Sequence, residues 1–105
     1  MSFDGWTDDA ILSVVGERLR RERLDRNLTQ DELAERSGVS VETIRNVEDG
    51  RSFSATTLIR LLRALGLVGR IDALLPEPAL SPIQVAELRG KVRQRATSGD
   101  VNTRV

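Results

Sequence analysis

The residues between Gln30 and Ile44 restrict the possible folds of this chain more than any other feature of its sequence. They follow the spacing Gln-x3-Ala-x3-Gly-Val-x4-Ile, with Ala34, Gly38 and Val39 at the fixed inner positions. Two helices cross closely only where the contact residue is small, and a chain turns sharply only where a residue accepts left-handed backbone geometry. The spacing therefore predicts two short helices joined by a tight corner at Gly38.

Capping signals predict that the rest of the chain is also helical. Thr29 followed by Glu32 is a capping-box signature for a helix at 30–36, and Ser40 is placed to cap a second helix at 41–49. Periodic apolar residues predict the remaining helices at about 8–26, 55–65, 71–75 and 82–95. Gly16 lies inside the first of these, and we expect it to loosen the N-terminal half of that helix. No pattern indicates a strand, so the predicted fold class is all-α.

The spacing resembles that of the Cro/cI-type helix-turn-helix family, also called the xenobiotic-response-element (XRE) family. Two further stretches, Glu48-Asp49-Gly50-Arg51 and Thr57-Leu58-x2-Leu61, strengthen the resemblance. The resemblance covers about residues 15–75. It implies a lambda-repressor-like DNA-binding domain of five helices, to which this chain adds a C-terminal helix. The expected organisation is an N-terminal leader at 1–9, the DNA-binding domain at 10–76, and a C-terminal helix with a flexible tail at 77–105. A helical hairpin without a DNA role is the alternative.

The second helix of such a unit lies in the major groove, with its N-terminal residues towards the base edges. The resemblance places Val41, Glu42 and Asn46 at positions that commonly meet bases, and Ser40 and Arg45 lie on the same surface. Asn pairs with adenine, Glu accepts from cytosine N4, Val contacts a thymine methyl, and Arg reaches guanine or a phosphate. The alternatives are that Val41 only packs, that Glu42 only stabilises the first helical turn, and that Arg45 is only solvated.

Donors along the rim of this surface are candidates for phosphate contacts. Gln30 stands at a helix N-terminus, where its amide and the free backbone N–H groups can hold a phosphate together. The full candidate set is Thr29, Gln30, Thr43, Arg51 and Arg20, with Arg18 as an alternative to Arg20. Separately, the family resemblance implies a partly buried ion pair between Arg23 on the first helix and Glu48 at the end of the recognition helix. That pair supports the structure and does not read bases.

Composition limits the other function classes. Cys and His are both absent, which removes the commonest zinc ligands, nucleophiles and general bases, so we expect no enzyme, no metal and no cofactor. The 16 basic and 16 acidic residues give zero net charge, which argues against a non-specific nucleic-acid coat but not against a few placed cations. No apolar run reaches the roughly 20 residues that span a bilayer, and the acidic N-terminus argues against a secretory signal. A cytoplasmic location without membrane association is therefore expected.

One recognition helix reads few base pairs, so regulators of this kind usually dimerise on two half-sites. The apolar residues Val68, Ile71, Leu74 and Leu75 are the candidate homodimer interface, with core filling as the alternative. The predicted function is a sequence-specific transcriptional regulator, a repressor acting as a dimer on palindromic double-stranded DNA.

The ends of the chain suggest a second function. Phe3 and Trp6 lie in an acidic leader, and the C-terminal helix carries the cations Arg89, Lys91, Arg93 and Arg95. Small regulators with appended ends resemble antitoxins of toxin–antitoxin pairs, including the HipB-type antitoxins that bind a kinase-like toxin. The alternative function is therefore an antitoxin that binds a partner toxin and autoregulates its operon. The alternative interpretation of the leader is structural: its aromatic residues pack onto the first helix.

Overall fold

A computed structural model of the chain describes residues 2–78 and 82–97. Every regular element within those ranges is helical, which confirms the all-α class. The elements are α1 (Asp8–Asp25), α2 (Gln30–Ser37), α3 (Val41–Glu48), α4 (Ala55–Ala64), a 3₁₀ turn (Val68–Arg70), α5 (Ile71–Leu74) and α6 (Pro82–Thr97). Residues 79–81 and 98–105 of the predicted C-terminal helix and flexible tail lie outside the described residues. No helix in the described ranges is long and apolar enough to cross a membrane.

Hydroxyl side chains begin the first four helices. Thr7, Thr29, Ser40 and Ser54 each accept a hydrogen bond from the backbone N–H of the third helical residue. At α2 the capping box is complete, since Glu32 Oε1 also accepts from the backbone N–H of Thr29 at 2.9 Å. These bonds satisfy N–H groups that have no partner inside the helix. The helix starts predicted from the sequence are therefore confirmed.

Left-handed residues end all four of these helices. Asn27, with a φ of 56°, lies just beyond α1, Gly38 ends α2 with a φ of 74°, and Gly50 lies just beyond α3 with a φ of 85°. Gly66 follows α4, where its N–H donates to the carbonyl of Arg63 and the N–H of Leu67 donates to that of Leu62. This pair of bonds is a Schellman motif, and it turns Leu67 into the core.

The chain divides into two compact units, one ending at Arg70 and the other beginning at Ile71. In the first unit α3 packs against α1 and α2, and α2 packs against α4. Side chains of all four helices and of their connections meet in one apolar core: Leu19, Leu28, Leu33, Val39, Ile44, Val47, Leu61, Leu65 and Leu67. Full burial of one such side chain contributes about 1.5–3 kcal/mol. The predicted domain boundary at residue 76 stays a prediction.

The expectation for Gly16 is wrong. α1 is continuous from Asp8 to Asp25, and Gly16 is buried where that helix meets the end of α3. A Cβ at this position would overlap the carbonyl oxygen of Val47 and lie 3.2 Å from that of Glu48. Gly16 therefore permits the close approach of two helices and does not loosen one.

The second unit contains α5 and α6. Ile71 is half-buried, whereas Leu74 and Leu75 are 66% and 74% exposed. In α6 the apolar side chains of Ile83 and Leu88 are also exposed. The second unit thus presents apolar side chains that do not join a buried core.

Candidate nucleic-acid interface

The two edges of α3 differ sharply in burial. Ile44 and Val47 are 1% exposed and fix the inner edge of the helix in the core. Glu42 and Arg45 are exposed on the outer edge, and Asn46 beside them is half-buried. Residues three and four apart share a helix face, so these three side chains form one outward surface. We call this surface, together with Ser40, the outer face of α3.

The corner before α3 leaves its N-terminus open. Gly38 has no atoms within 4 Å of the place where a Cβ would stand, and Val39 is buried beneath it. Ser40 Oγ accepts from the backbone N–H of Thr43 at 3.1 Å and donates to Thr43 Oγ1 at 2.8 Å. Val41, the first helical residue, is half-buried. Most of the predicted base-contacting residues are therefore brought together at an accessible helix start.

The candidate phosphate contacts differ in the hydrogen bonds and ion pairs that they already make within the protein. Thr29 is exposed, and its hydroxyl oxygen accepts a hydrogen bond from the backbone N–H of Glu32. Arg51 is exposed just past α3, and its backbone N–H donates to the carbonyl of Asn46 at 2.9 Å. Arg20 Nη1 lies 3.7 Å from Glu17 Oε2 in an exposed ion pair. Exposed ion pairs contribute little to stability, so this pair costs little energy to break. Within the described ranges, neither Arg45 nor Arg51 is paired with an acidic side chain.

The ion pair that the family resemblance implies is present in the structure. Arg23 Nε donates to Glu48 Oε2 at 2.8 Å and Arg23 Nη2 donates to Oε1 at 2.9 Å, a bidentate arrangement. The two side chains are only 8% and 5% exposed. The hydrogen bonds that Arg23 donates to the Glu48 carboxylate raise the pKa of Arg23 above its ordinary value, against the opposing effect of burial. Arg23 Nη1 also donates to the carbonyl of Leu28 at 2.7 Å, so α1 is tied to both α3 and the α1–α2 connection.

Sequence reasoning missed one member of this network. Gln30 Nε2 donates to Glu48 Oε1 at 3.0 Å, so the amide singled out as a phosphate contact already has a partner inside the domain. An amide nitrogen carries two N–H donors, and the bond to Glu48 uses one of them. Gln30 and Glu48 are eighteen residues apart, and no local spacing rule relates residues at that distance.

The arrangement combines an exposed helix start with a rigid support. A short helix whose N-terminal residues carry amide, carboxylate and guanidinium groups can read base edges in a major groove. Residues 19–69 match the family model described as helix-turn-helix. This segment is similar to helix-turn-helix domains. The match supports a DNA-binding transcriptional regulator of the XRE type, and no curated protein matches the chain.

The remaining predicted residues lie outside the helix-turn-helix itself. Val68 is exposed in the 3₁₀ turn of the first unit, and the exposed Leu74 and Leu75 belong to the second unit. In the leader, the rings of Phe3 and Trp6 meet edge to face with centroids 5.0 Å apart. The guanidinium of Arg18 on α1 lies 5.6 Å from the centroid of Phe3, so the leader contacts the first helix, while Trp6 stays 41% exposed.

Proposed function

We propose that the chain is a sequence-specific transcriptional regulator that inserts α3 into the major groove of double-stranded DNA. The observation that supports this proposal is the contrast across α3, whose inner edge is buried while its outer face is exposed beside an open corner. In this account Ser40, Val41, Glu42, Arg45 and Asn46 meet bases. The phosphate contacts come from Thr29, Gln30, Thr43, Arg51 and Arg20.

The regulator acts in the cytoplasm as a homodimer on a palindromic operator and represses transcription. Its DNA-binding domain has the five-helix, lambda-repressor-like arrangement. The exposure of Leu74 and Leu75 supports the dimer, because large apolar side chains left in water are stabilised by burial against a second copy. Two recognition helices would then read two half-sites about one turn of DNA apart.

Selection from genomic DNA tests the proposal. The full-length chain is mixed with short fragments of the genome that encodes it, and bound fragments are sequenced over several rounds. We expect enrichment of a few sites that share an inverted repeat, and a purified duplex of such a site should bind more tightly than random DNA of equal length. Enrichment no greater than that of random DNA would contradict the proposal.

The second candidate function is an antitoxin that binds a partner toxin and autoregulates its operon. The exposed Trp6 favours this candidate, since aromatic anchors are frequent at protein interfaces. Co-expression with the products of the neighbouring reading frames, followed by purification of the complex, is the test. A stoichiometric complex that Trp6→Ala disrupts is expected of an antitoxin, and its absence with every neighbouring product would contradict that role.

A further inference from the structure

The side chain of Gln30 connects the beginning of α2 to the end of α3. Its Nε2 donates to Glu48 Oε1 at 3.0 Å, and the same oxygen accepts from Arg23 Nη2 at 2.9 Å. Arg23 belongs to α1, Gln30 to α2 and Glu48 to α3. One carboxylate therefore links all three helices that form and support the helix-turn-helix.

At the corner, Val39 is buried and the N–H of Gly38 donates to the carbonyl of Ala34, so the start of α3 is fixed against α2. The angle between the two helices also depends on how the far end of α3 is held, and the link acts at that end. The Glu48 side chain is only 5% exposed, so water competes weakly for its oxygens. A hydrogen bond to a charged and desolvated acceptor is stronger than one between neutral groups. The Gln30–Glu48 bond is therefore placed to hold that angle.

We propose that Gln30 is a positioning residue for base recognition, acting through Glu48 on the orientation of α3. The inference rests on the DNA-binding function proposed above and deepens it. The positioning role is separate from the phosphate contact proposed for the second N–H of the same amide, and the two roles predict different outcomes when the amide is removed. A phosphate contact is made on every sequence, so its loss weakens all duplexes equally. A misplaced recognition helix loses its base contacts, so the preferred sequence suffers more than random DNA.

The test measures the ratio of two dissociation constants, for random DNA and for the selected operator, at one salt concentration. The full-length variants are Gln30→Met, which keeps the length of the side chain without its donor, Glu48→Gln, which keeps an acceptor without the charge, and the double variant. Glu35→Met is the matched control, because Glu35 is exposed on the same helix. Thermal unfolding of each variant sets a temperature at which all of them are folded.

We expect Gln30→Met to lower the ratio about tenfold, in line with the loss of one hydrogen bond to a charged group. Glu48→Gln should also lower this ratio. The ratio of the double variant should be no lower than that of the more affected single variant, because both changes break the same link. Glu35→Met should leave the ratio unchanged. A Gln30→Met variant that binds both duplexes more weakly by the same factor, or singles whose effects multiply, would overturn the inference.

A spectroscopic measurement keeps the inference testable if Gln30→Met does not fold. The side-chain NH₂ of Gln30 gives a pair of ¹H–¹⁵N resonances, and the proton bonded to Glu48 should shift in the Glu48→Gln chain. A resonance that does not move would overturn the positioning role. If the unmodified chain does not distinguish the operator from random DNA, the DNA-binding function itself fails and the inference fails with it. If it does distinguish them and Gln30→Met keeps the full ratio, only the inference fails.

Discussion

At the scale of single residues, Gly16 shows how little space separates α1 from the end of α3. An Ala Cβ there would meet the backbone carbonyl oxygens of Val47 and Glu48, which cannot move without shifting α3. We expect Gly16→Ala to lower the free energy of unfolding by about 1–3 kcal/mol, measured by urea denaturation. Gly90→Ala is the matched control, since Gly90 is also inside a helix but has open space around it and should not destabilise the chain. Equal stability of the Gly16→Ala chain and the native chain would contradict the close crossing.

Asn46 and Arg51 lie near each other in sequence but have different proposed tasks. Asn46→Ala should remove discrimination at one base position, worth about 1–3 kcal/mol, because an amide pairs with one base edge. Arg51→Ala should weaken binding evenly on all sequences and reduce the slope of log affinity against log salt by about one, because a phosphate contact releases about one counterion. Binding to a panel of single-base operator variants at several salt concentrations measures both effects. Uniform weakening by Asn46→Ala, or an unchanged slope for Arg51→Ala, would contradict the assignment concerned.

At the scale of helices, the starts of α2, α3 and α4 were predictable because their signals are local. A hydroxyl residue accepts from an N–H three residues on, and that geometry is contained in four consecutive residues. The function of Gly16 and the partner of Gln30 were not predictable in this way. The packing role of Gly16 and the hydrogen-bond partner of Gln30 both depend on the position of the end of α3. That position results from the packing of α1, α2 and α3 against one another. The Arg23–Glu48 pair came from family resemblance and not from any spacing within this chain.

The capping box of α2 makes part of the stability depend on pH. The backbone N–H of Thr29 lowers the pKa of Glu32 below its ordinary value of 4.5, so the folded state holds its carboxylate form more strongly than the unfolded state. This stabilisation is complete above pH 4.5 and is lost as the pH falls through the lower folded value. Glu32→Gln keeps an acceptor without the charge, so its melting temperature should lie below that of the native chain at neutral pH. The difference between the two melting temperatures should become smaller in acid. A difference that does not change with pH would contradict this cause.

At the scale of the whole molecule, the balanced charge limits how DNA can be held. With 16 basic and 16 acidic residues, attraction to the phosphate backbone cannot come from a general basic surplus. In the proposed function it comes from a few cations near α3, such as Arg45 and Arg51, and the proposed dimer doubles those contacts. The sequence revealed the balance of charge, but not that these two cations lack acidic partners within the described ranges.

The dimer proposed here makes a prediction about Leu74 and Leu75. Replacing both with Glu should shift the chain from dimer to monomer in sedimentation equilibrium, because charged side chains resist burial between two copies. Since both side chains are more than half exposed, the fold of the first unit should keep its melting temperature. Operator affinity should fall, while binding to a single half-site should not change. A double variant that remains dimeric would exclude these residues from the interface.

The central claim is that the outer face of α3 meets DNA, and NMR titration tests it most directly. A ¹⁵N-labelled chain is titrated with the selected operator duplex, and amide shifts are followed residue by residue. The account predicts that the largest shifts fall at residues 38–46, with smaller ones near Thr29, Arg51 and Arg20. A duplex that binds tightly while the amides of 40–46 stay in place would contradict the account.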